Sequence, residues 1–282
     1  MNTLLIKLIC CAAGLAVLYL LMIMPRMTHK ADNAPFRKVL YAHRGLHDNE
    51  APAPENSMAA FKKAVEGGYG IELDVQLTLD RVPVVFHDGT LGRICGVKGK
   101  VCDHTFEQLQ AFRLCDSEER IPRFADVLKL VNGRVPLIVE YKGETTDTSV
   151  CTVTDPLLRE YKGTYCIESF NPLIVAWYRR NRGDVLRGQL AEKLYSEGTK
   201  KNVLNFVLEH LLLNFYARPD FIAYNHKHHD NLSRRIATGL YKNISVAYTI
   251  KSQEEYESAA GHFEWFIFDS FVPQKLPDRK KR

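Results

Sequence analysis

Residues 39–91 read VLYAHRGLHDNEAPAPENSMAAFKKAVEGGYGIELDVQLTLDRVPVVFHDGTL, and three short apolar runs in this stretch end in polar residues suited to chemistry. Val39 to Ala42 leads into His43 and Arg44, Ile71 to Val75 carries Glu72 and Asp74, and Pro83 to Phe86 delivers His87 and Asp88. Side chains alternate faces along a strand, so Glu72 and Asp74 point the same way. Two carboxylates together on a buried strand are costly unless a cation lies between them. Mg²⁺ and Ca²⁺ both prefer carboxylate oxygens, which makes a hard divalent ion the simplest occupant. A two-residue turn at Asp80-Arg81 predicts a hairpin that pairs Val75 with Phe86 and Asp74 with His87, placing an imidazole beside the carboxylates. One residue of slip would move His87 to the other face.

Outward from this stretch, apolar runs alternate with helical patterns. Strands are predicted at 39–42, 71–77, 83–86, 136–140, 164–168, 185–190, 221–224, 244–249 and 265–268, with helices such as Ser57 to Glu66, Phe124 to Val131, Leu173 to Arg180 and Gln253 to Ala260. Such alternation implies a parallel sheet. With 83–86 set aside as the returning arm of a hairpin, eight strands remain, the count of an α/β (β/α)₈ TIM-like barrel. Residues 88–120 carry glycines, three cysteines and a helical piece, Thr105 to Phe112, and read as an insertion near the mouth. Active sites of such barrels gather at the C-terminal strand ends. His43, Glu72, Asp74, Glu140 and Lys142 all fall at such ends.

HRG at 43–45, PENS at 54–57, IELDVQLTLD at 71–80, VVFHD at 84–88, LIVEYKG at 137–143, ESFNP at 168–172 and AYTIKS at 247–252 together resemble the glycerophosphodiester phosphodiesterases. The resemblance covers about residues 38–273. It implies a somewhat distorted barrel of the PLC-like phosphodiesterase type with a small cap, and hydrolysis of glycerophosphodiesters to glycerol 3-phosphate and an alcohol. It assigns His43 and His87 to catalysis, Arg44 to phosphate binding, and the E-x-K pair Glu140 and Lys142 to ligand and phosphate contact. Tyr248 stands where the family commonly has tryptophan, which puts substrate preference in doubt. FIFDSFVP replaces the common I-T-D-x-P, so no role is carried to Asp269.

The residues support the same chemistry. Glu72, Asp74 and Glu140 offer an oxygen-rich, incompletely closed shell for one divalent cation, Mg²⁺ or Ca²⁺, with room for a phosphate oxygen. Imidazoles His43 and His87 can give or take a proton near neutral pH, with His87 placed as acid and His43 as base. Arg44, Lys142 and Tyr248 are the substrate-binding candidates. Arg44 reaches the site together with His43 only if the chain bends at Gly45, and a salt bridge to Glu55 is its alternative. For Glu140 and Lys142 the alternative is a strand-end ion pair. Asn56 or Ser57 caps the helix that follows. His226, His228 and His229 read as a solvated polar loop in preference to a second metal site.

The chain has 282 residues, 46% hydrophobic, enough for one barrel-sized core. Its net charge of +5 is concentrated at the ends, so no basic face demands nucleic acid. Seven cysteines without CxxC or regular spacing indicate neither a disulfide framework nor a zinc site. Buried free thiols are expected, with Cys95 and Cys102 close enough in sequence to pair in an oxidising compartment. Residues 8–24 hold no charge and span roughly 25 Å as a helix, at the short end for a bilayer. An uncleaved single-pass anchor at 1–25 is preferred to a signal peptide, followed by a linker at 26–37, the phosphodiesterase barrel at 38–273 and a basic tail at 274–282. The predicted location is a cell membrane, and the positive-inside rule leans toward a cytoplasmic catalytic domain. Residues 201–216 are predicted as one helix, apolar over more than half its circumference, which is either a barrel helix under loops or one that touches the bilayer. Two functional alternatives remain: lysophospholipase D action on lysophospholipids, and a catalytically silent headgroup-binding protein.

Overall fold

A computed structural model describes residues 3–143, 145–195 and 201–274. Nine strands form one sheet: β1 (Leu40–His43), β2 (Gly70–Leu77), β3 (Pro83–Val85), β4 (Leu137–Tyr141), β5 (Tyr165–Ser169), β6 (Arg187–Ala191), β7 (Phe221–Asn225), β8 (Ile244–Ile250) and β9 (Trp265–Phe268). β1 pairs in parallel with both β2 and β9, so eight parallel strands close into a barrel, and β3 returns antiparallel on β2. The predicted (β/α)₈ barrel and all nine strands are present. The helices are α1 (Thr3–Met22), α2 (Met58–Glu66), α3 (Gly92–Cys95), α4 (Phe106–Leu109), α5 (Phe124–Val131), α6 (Ser149–Glu160), α7 (Pro172–Asn181), α8 (Val203–Glu209), α9 (Asn214–Ala217), α10 (Leu232–Gly239) and α11 (Gln253–Ala259).

Strand alternation sorts the barrel interior into two levels. Tyr41, Ile138 and Cys166 belong to a buried apolar cluster at the floor with Phe221, Ile244 and Trp265. Two residues further along the same strands come His43, Glu140 and Glu168, on the same face but one level nearer the mouth. Phe36, just ahead of β1, closes the floor by stacking on Trp265 at 5.3 Å. Burying a side chain of that kind stabilises by roughly 1.5–3 kcal/mol. A second cluster, including Val75, Phe124, Val139, Ile167 and Ile174, fills the layer between strands and helices.

Four expectations are corrected. The β2–β3 register is displaced by one residue: Val75 faces Val85, not Phe86. A three-residue loop replaces the two-residue turn, because Thr78 bonds Val82 through both backbone and hydroxyl while Arg81 takes a left-handed φ of 61°. The helix expected over 201–216 is broken into α8 and α9. The Glu209 carbonyl accepts from Tyr224 Oη and Asn231 Nδ2, bonds that compete with helix continuation, and Leu211 turns to φ 57°. The helical piece expected at Thr105 to Phe112 is a single turn, Phe106–Leu109, closed by a capping box between Thr105 and Gln108. Finally, all seven cysteines are free thiols, Cys95 and Cys102 included, but only Cys151 and Cys166 are buried. Most of the predicted basic tail, residues 275–282, lies outside the described residues.

Candidate active site

One cavity of about 850 Å³ opens at the C-terminal ends of the strands, and His43, Arg44, Glu72, His87, Glu140, Lys142 and Tyr248 line it. Register explains the convergence. His43 pairs with Glu72 across β1–β2, Asp74 with Glu140 across β2–β4, and Glu140 with Glu168 across β4–β5. The slipped hairpin still delivers His87, because the chain bends after Val85. Gln76 Nε2 pins that bend by donating to the carbonyls of Phe86 and Asp88 at 2.7 and 2.9 Å.

Arg44 turns toward the cavity because the backbone reverses at two consecutive residues, φ 57° at Arg44 and 84° at Gly45. A Cβ on Gly45 would stand 2.9 Å from the Ala60 backbone, so only glycine fits. Arg44 Nη1 donates to Glu55 Oε1 at 2.6 Å, and its Nε lies 3.5 Å from Asp74 Oδ2. Arg93 grips the same Glu55 at 2.7 and 2.8 Å and also binds Asp88, which holds His87 Nδ1 at 2.6 Å. Ser57 is the cap of α2, and Asn56 instead donates to Asp74 Oδ2 at 2.7 Å.

Glu72, Asp74 and Glu140 each offer one oxygen, and these lie within 4.8 Å of one another. Lys142 Nζ stands between two of them, 2.7 Å from Asp74 and 2.5 Å from Glu140. The carboxyls are not equivalent. Burial works against ionisation of Asp74, but Lys142, His87 and Arg44 outweigh it and hold the group well below the usual range. Burial, then Asp74 and Glu140, push Glu72 well above it. Burial also raises Glu140 to about 7 against the pull of Lys142. Glu72 Oε1 is buried without a hydrogen-bond partner. An oxygen-only donor set with an orphaned oxygen, and with ionisation suppressed at Glu72 and Glu140, fits a hard divalent cation, which would supply further positive charge there.

Burial lowers the pKa of His43 and of His87, while the carboxylates of Asp269 and Asp74 at the first and of Asp74 and Asp88 at the second favour the charged ring. Tyr248 spends its hydroxyl on the Ala191 carbonyl at 2.9 Å and presents its ring edge-on to Phe170. Of the three loop histidines, His226 is buried with Nε2 3.4 Å from Glu255, and His229 stacks on His262.

Three residues of the site carry no role in the sequence reading. Asp269, just beyond β9, bonds His43 Nδ1 at 3.0 Å and lies 3.1 Å from His47 Nε2, and these three also stand close enough to share an ion. Asp269 is held well below the usual range, burial being outweighed by both histidines. Glu168 adds a further carboxyl to the cavity, its pKa raised by burial and by Glu140. Its position in ESFNP, two residues beyond the floor residue Cys166, was the available signal.

The model of the glycerophosphoryl diester phosphodiesterase family matches residues 43–252, well over half of the chain. The chain belongs to that family. Glycerophosphodiester phosphodiesterase 1 of Homo sapiens is 31% identical over 159 residues, 51% of this chain and 46% of that protein. A glycerophosphodiester phosphodiesterase of Bacillus altitudinis is 42% identical over 107 residues, 36% of this chain and 42% of that protein. The chain thus spans about half the length, or less, of these curated relatives. Among solved structures, an Oleispira antarctica phosphodiesterase in complex with the product sn-glycerol-3-phosphate superposes with TM-score 0.66 at 20% identity, covering 83% of this chain and 93% of that one. The Thermotoga maritima glycerophosphodiester phosphodiesterase gives 0.62 at 22%, covering 82% and 94%. At these identities the likeness is one of fold.

Proposed function

We propose that this member of the family is a membrane-anchored, divalent-metal-dependent hydrolase that converts glycerophosphodiesters to glycerol 3-phosphate and an alcohol. The observation that carries the reading is the meeting of His43, His87, Glu72 and Glu140 around one cavity large enough for a phosphodiester, with buried Asp74 grouped with the two glutamates. Relatives named for this activity, and one solved relative holding glycerol 3-phosphate, support the substrate class.

Glu72, Asp74 and Glu140 would hold Mg²⁺ or Ca²⁺, which supplies Lewis-acid polarisation of the phosphoryl group. Arg44 and Lys142 face the same cavity and bind phosphate oxygens. Asp269 accepts from His43 Nδ1–H, which leaves Nε2 as the basic nitrogen that takes the nucleophile's proton. Asp88 engages His87 Nδ1, so protonated His87 gives its Nε2 proton to the departing alkoxide. Tyr248 forms a wall by its ring, since its hydroxyl is already bonded.

α1 would be the membrane span, with linker, barrel and tail following in the order read from the sequence. It is long and apolar enough, at mean hydropathy 2.5. Its last turns are bound to the barrel, which favours retention over cleavage. Lysophospholipase D action is the second reading, favoured by the exposed apolar side chains of α8. Incubation with glycerophosphocholine and with lysophosphatidylcholine, followed by product identification, tests both. The proposal expects glycerol 3-phosphate from the first, with His87→Ala slower by at least about 10². Turnover of the lysolipid alone would favour the second reading, and no product from either would refute both.

A further inference from the structure

We propose that the barrel mouth faces a phospholipid bilayer, with α8 and Leu232 forming an apolar lip set into its interfacial layer. This rests on the reading of α1 as a retained membrane span.

The direction of α1 follows from the order of its contacts. Tyr19 Oη bonds Ser233 Oγ at 2.7 Å in the first turn of α10, which follows β7 and so begins at mouth level. Leu20 O already accepts from Tyr241, just past the floor end of α10, and Ile23 O accepts from Asn214. Arg26 N donates to Pro219 O at 3.0 Å, and its guanidinium pairs with Asp220, both just ahead of β7 at the floor. From Tyr19 to Arg26 the chain therefore descends the outside of the barrel from mouth to floor. Residues 3–18 are all exposed and continue the same helix the other way. At 1.5 Å per residue they extend the helix by roughly 24 Å in the direction that points from floor to mouth.

The surface beside that exit is apolar. Leu232, adjacent to Ser233, is 59% exposed, and Val203, Leu204 and Phe206 of α8 are 81, 59 and 41% exposed. α8 abuts α10 through the Asn231–Glu209 bond. Phe206 meets Tyr195 edge-on at 5.5 Å, and Tyr195 follows Leu194, which lines the active-site cavity. The lip thus runs from the exit of α1 to the rim of the cavity. Lys201, exposed at its start, suits phosphate headgroups. Side chains in such a position sit about 5–10 Å into the headgroup–acyl boundary. A headgroup phosphodiester at the bilayer surface would then meet the open mouth.

The test uses the full chain in phosphatidylcholine vesicles whose lipids are brominated near the headgroup end of the acyl chains. Tryptophan is placed at Phe206→Trp, at Val203→Trp and, at the floor end of α10, at Leu240→Trp, with the unsubstituted chain subtracted. The lip predicts tryptophan quenching at 206 and 203 at least about threefold that at 240. Release of the chain by alkaline carbonate, or cleavage ahead of residue 26, overturns the anchor and the lip together. A carbonate-resistant chain with equal or reversed quenching overturns the lip alone. Absent quenching with a cross-linked dimer through α8 also overturns it, assigning the face to a second copy of the chain.

Discussion

Asp269 binds Nδ1 of His43 at 3.0 Å across the seam where the last barrel strand meets the first. The carboxylate fixes the ring's tautomer and orientation, and it opposes the lowering of the His43 pKa by burial. Asp269→Asn keeps the shape but removes the charge that selects the tautomer. A fall in kcat of about 10²-fold or more is expected, with KM little changed and the acid limb of the pH profile altered. Steady-state kinetics on glycerophosphocholine check this, and kcat within about twofold of the unsubstituted enzyme would remove Asp269 from the mechanism.

Glu55 predicts an acid limit to stability. Burial would raise its pKa, but Arg93 and Arg44 outweigh it and bring the group to about 2 against an ordinary 4.5. The unfolded chain takes up this proton near 4.5 and the folded chain only near 2. Between those values the unfolded state binds more protons, so stability present above pH 4.5 is lost as pH falls. The contribution is about 3 kcal/mol. Glu55→Gln removes the anion that Arg44 and Arg93 share, and should destabilise the protein near neutral pH by up to about 3 kcal/mol. Its unfolding midpoint should also fall less between pH 5 and 3. Urea titrations at each pH measure both, and parallel acid limbs would contradict the assignment.

Much of this was legible in the sequence because alternation is local. Glu72 and Asp74 had to share a face, and each apolar strand core announced itself. The misread parts were set by tertiary bonds. The Thr78 hydroxyl chose a three-residue loop, and the Glu209 carbonyl, taken by Tyr224 and Asn231, broke the helix expected over 201–216. α6, interrupted by Pro156, and α10, with its polar LSRRIATG, were not among the helices named from the sequence. Asp269 meets His43 and His47, far away in sequence, and its own context departed from the family pattern.

Lys142 sits between Asp74 and Glu140 and faces the cavity. In the proposed function its ammonium would meet phosphate as a compact point charge. Lys142→Met should lower kcat/KM by about 10²–10³-fold. Lys142→Arg should recover only part of this, because the larger guanidinium spreads its charge away from the point that Nζ holds 2.7 Å from Asp74. Full activity in Lys142→Arg would show that charge alone suffices there.

The cation site carries the central claim. The decisive measurement is glycerol 3-phosphate formation by the full chain after exhaustive EDTA treatment, with Mg²⁺ or Ca²⁺ then restored, in the unsubstituted enzyme and in Glu140→Gln. The account predicts activity abolished by EDTA, recovered with one of these ions, and recovered in Glu140→Gln only at metal concentrations at least about tenfold higher, the cost of one lost carboxylate ligand. Undiminished turnover in EDTA, or the same metal dependence in both proteins, would contradict it.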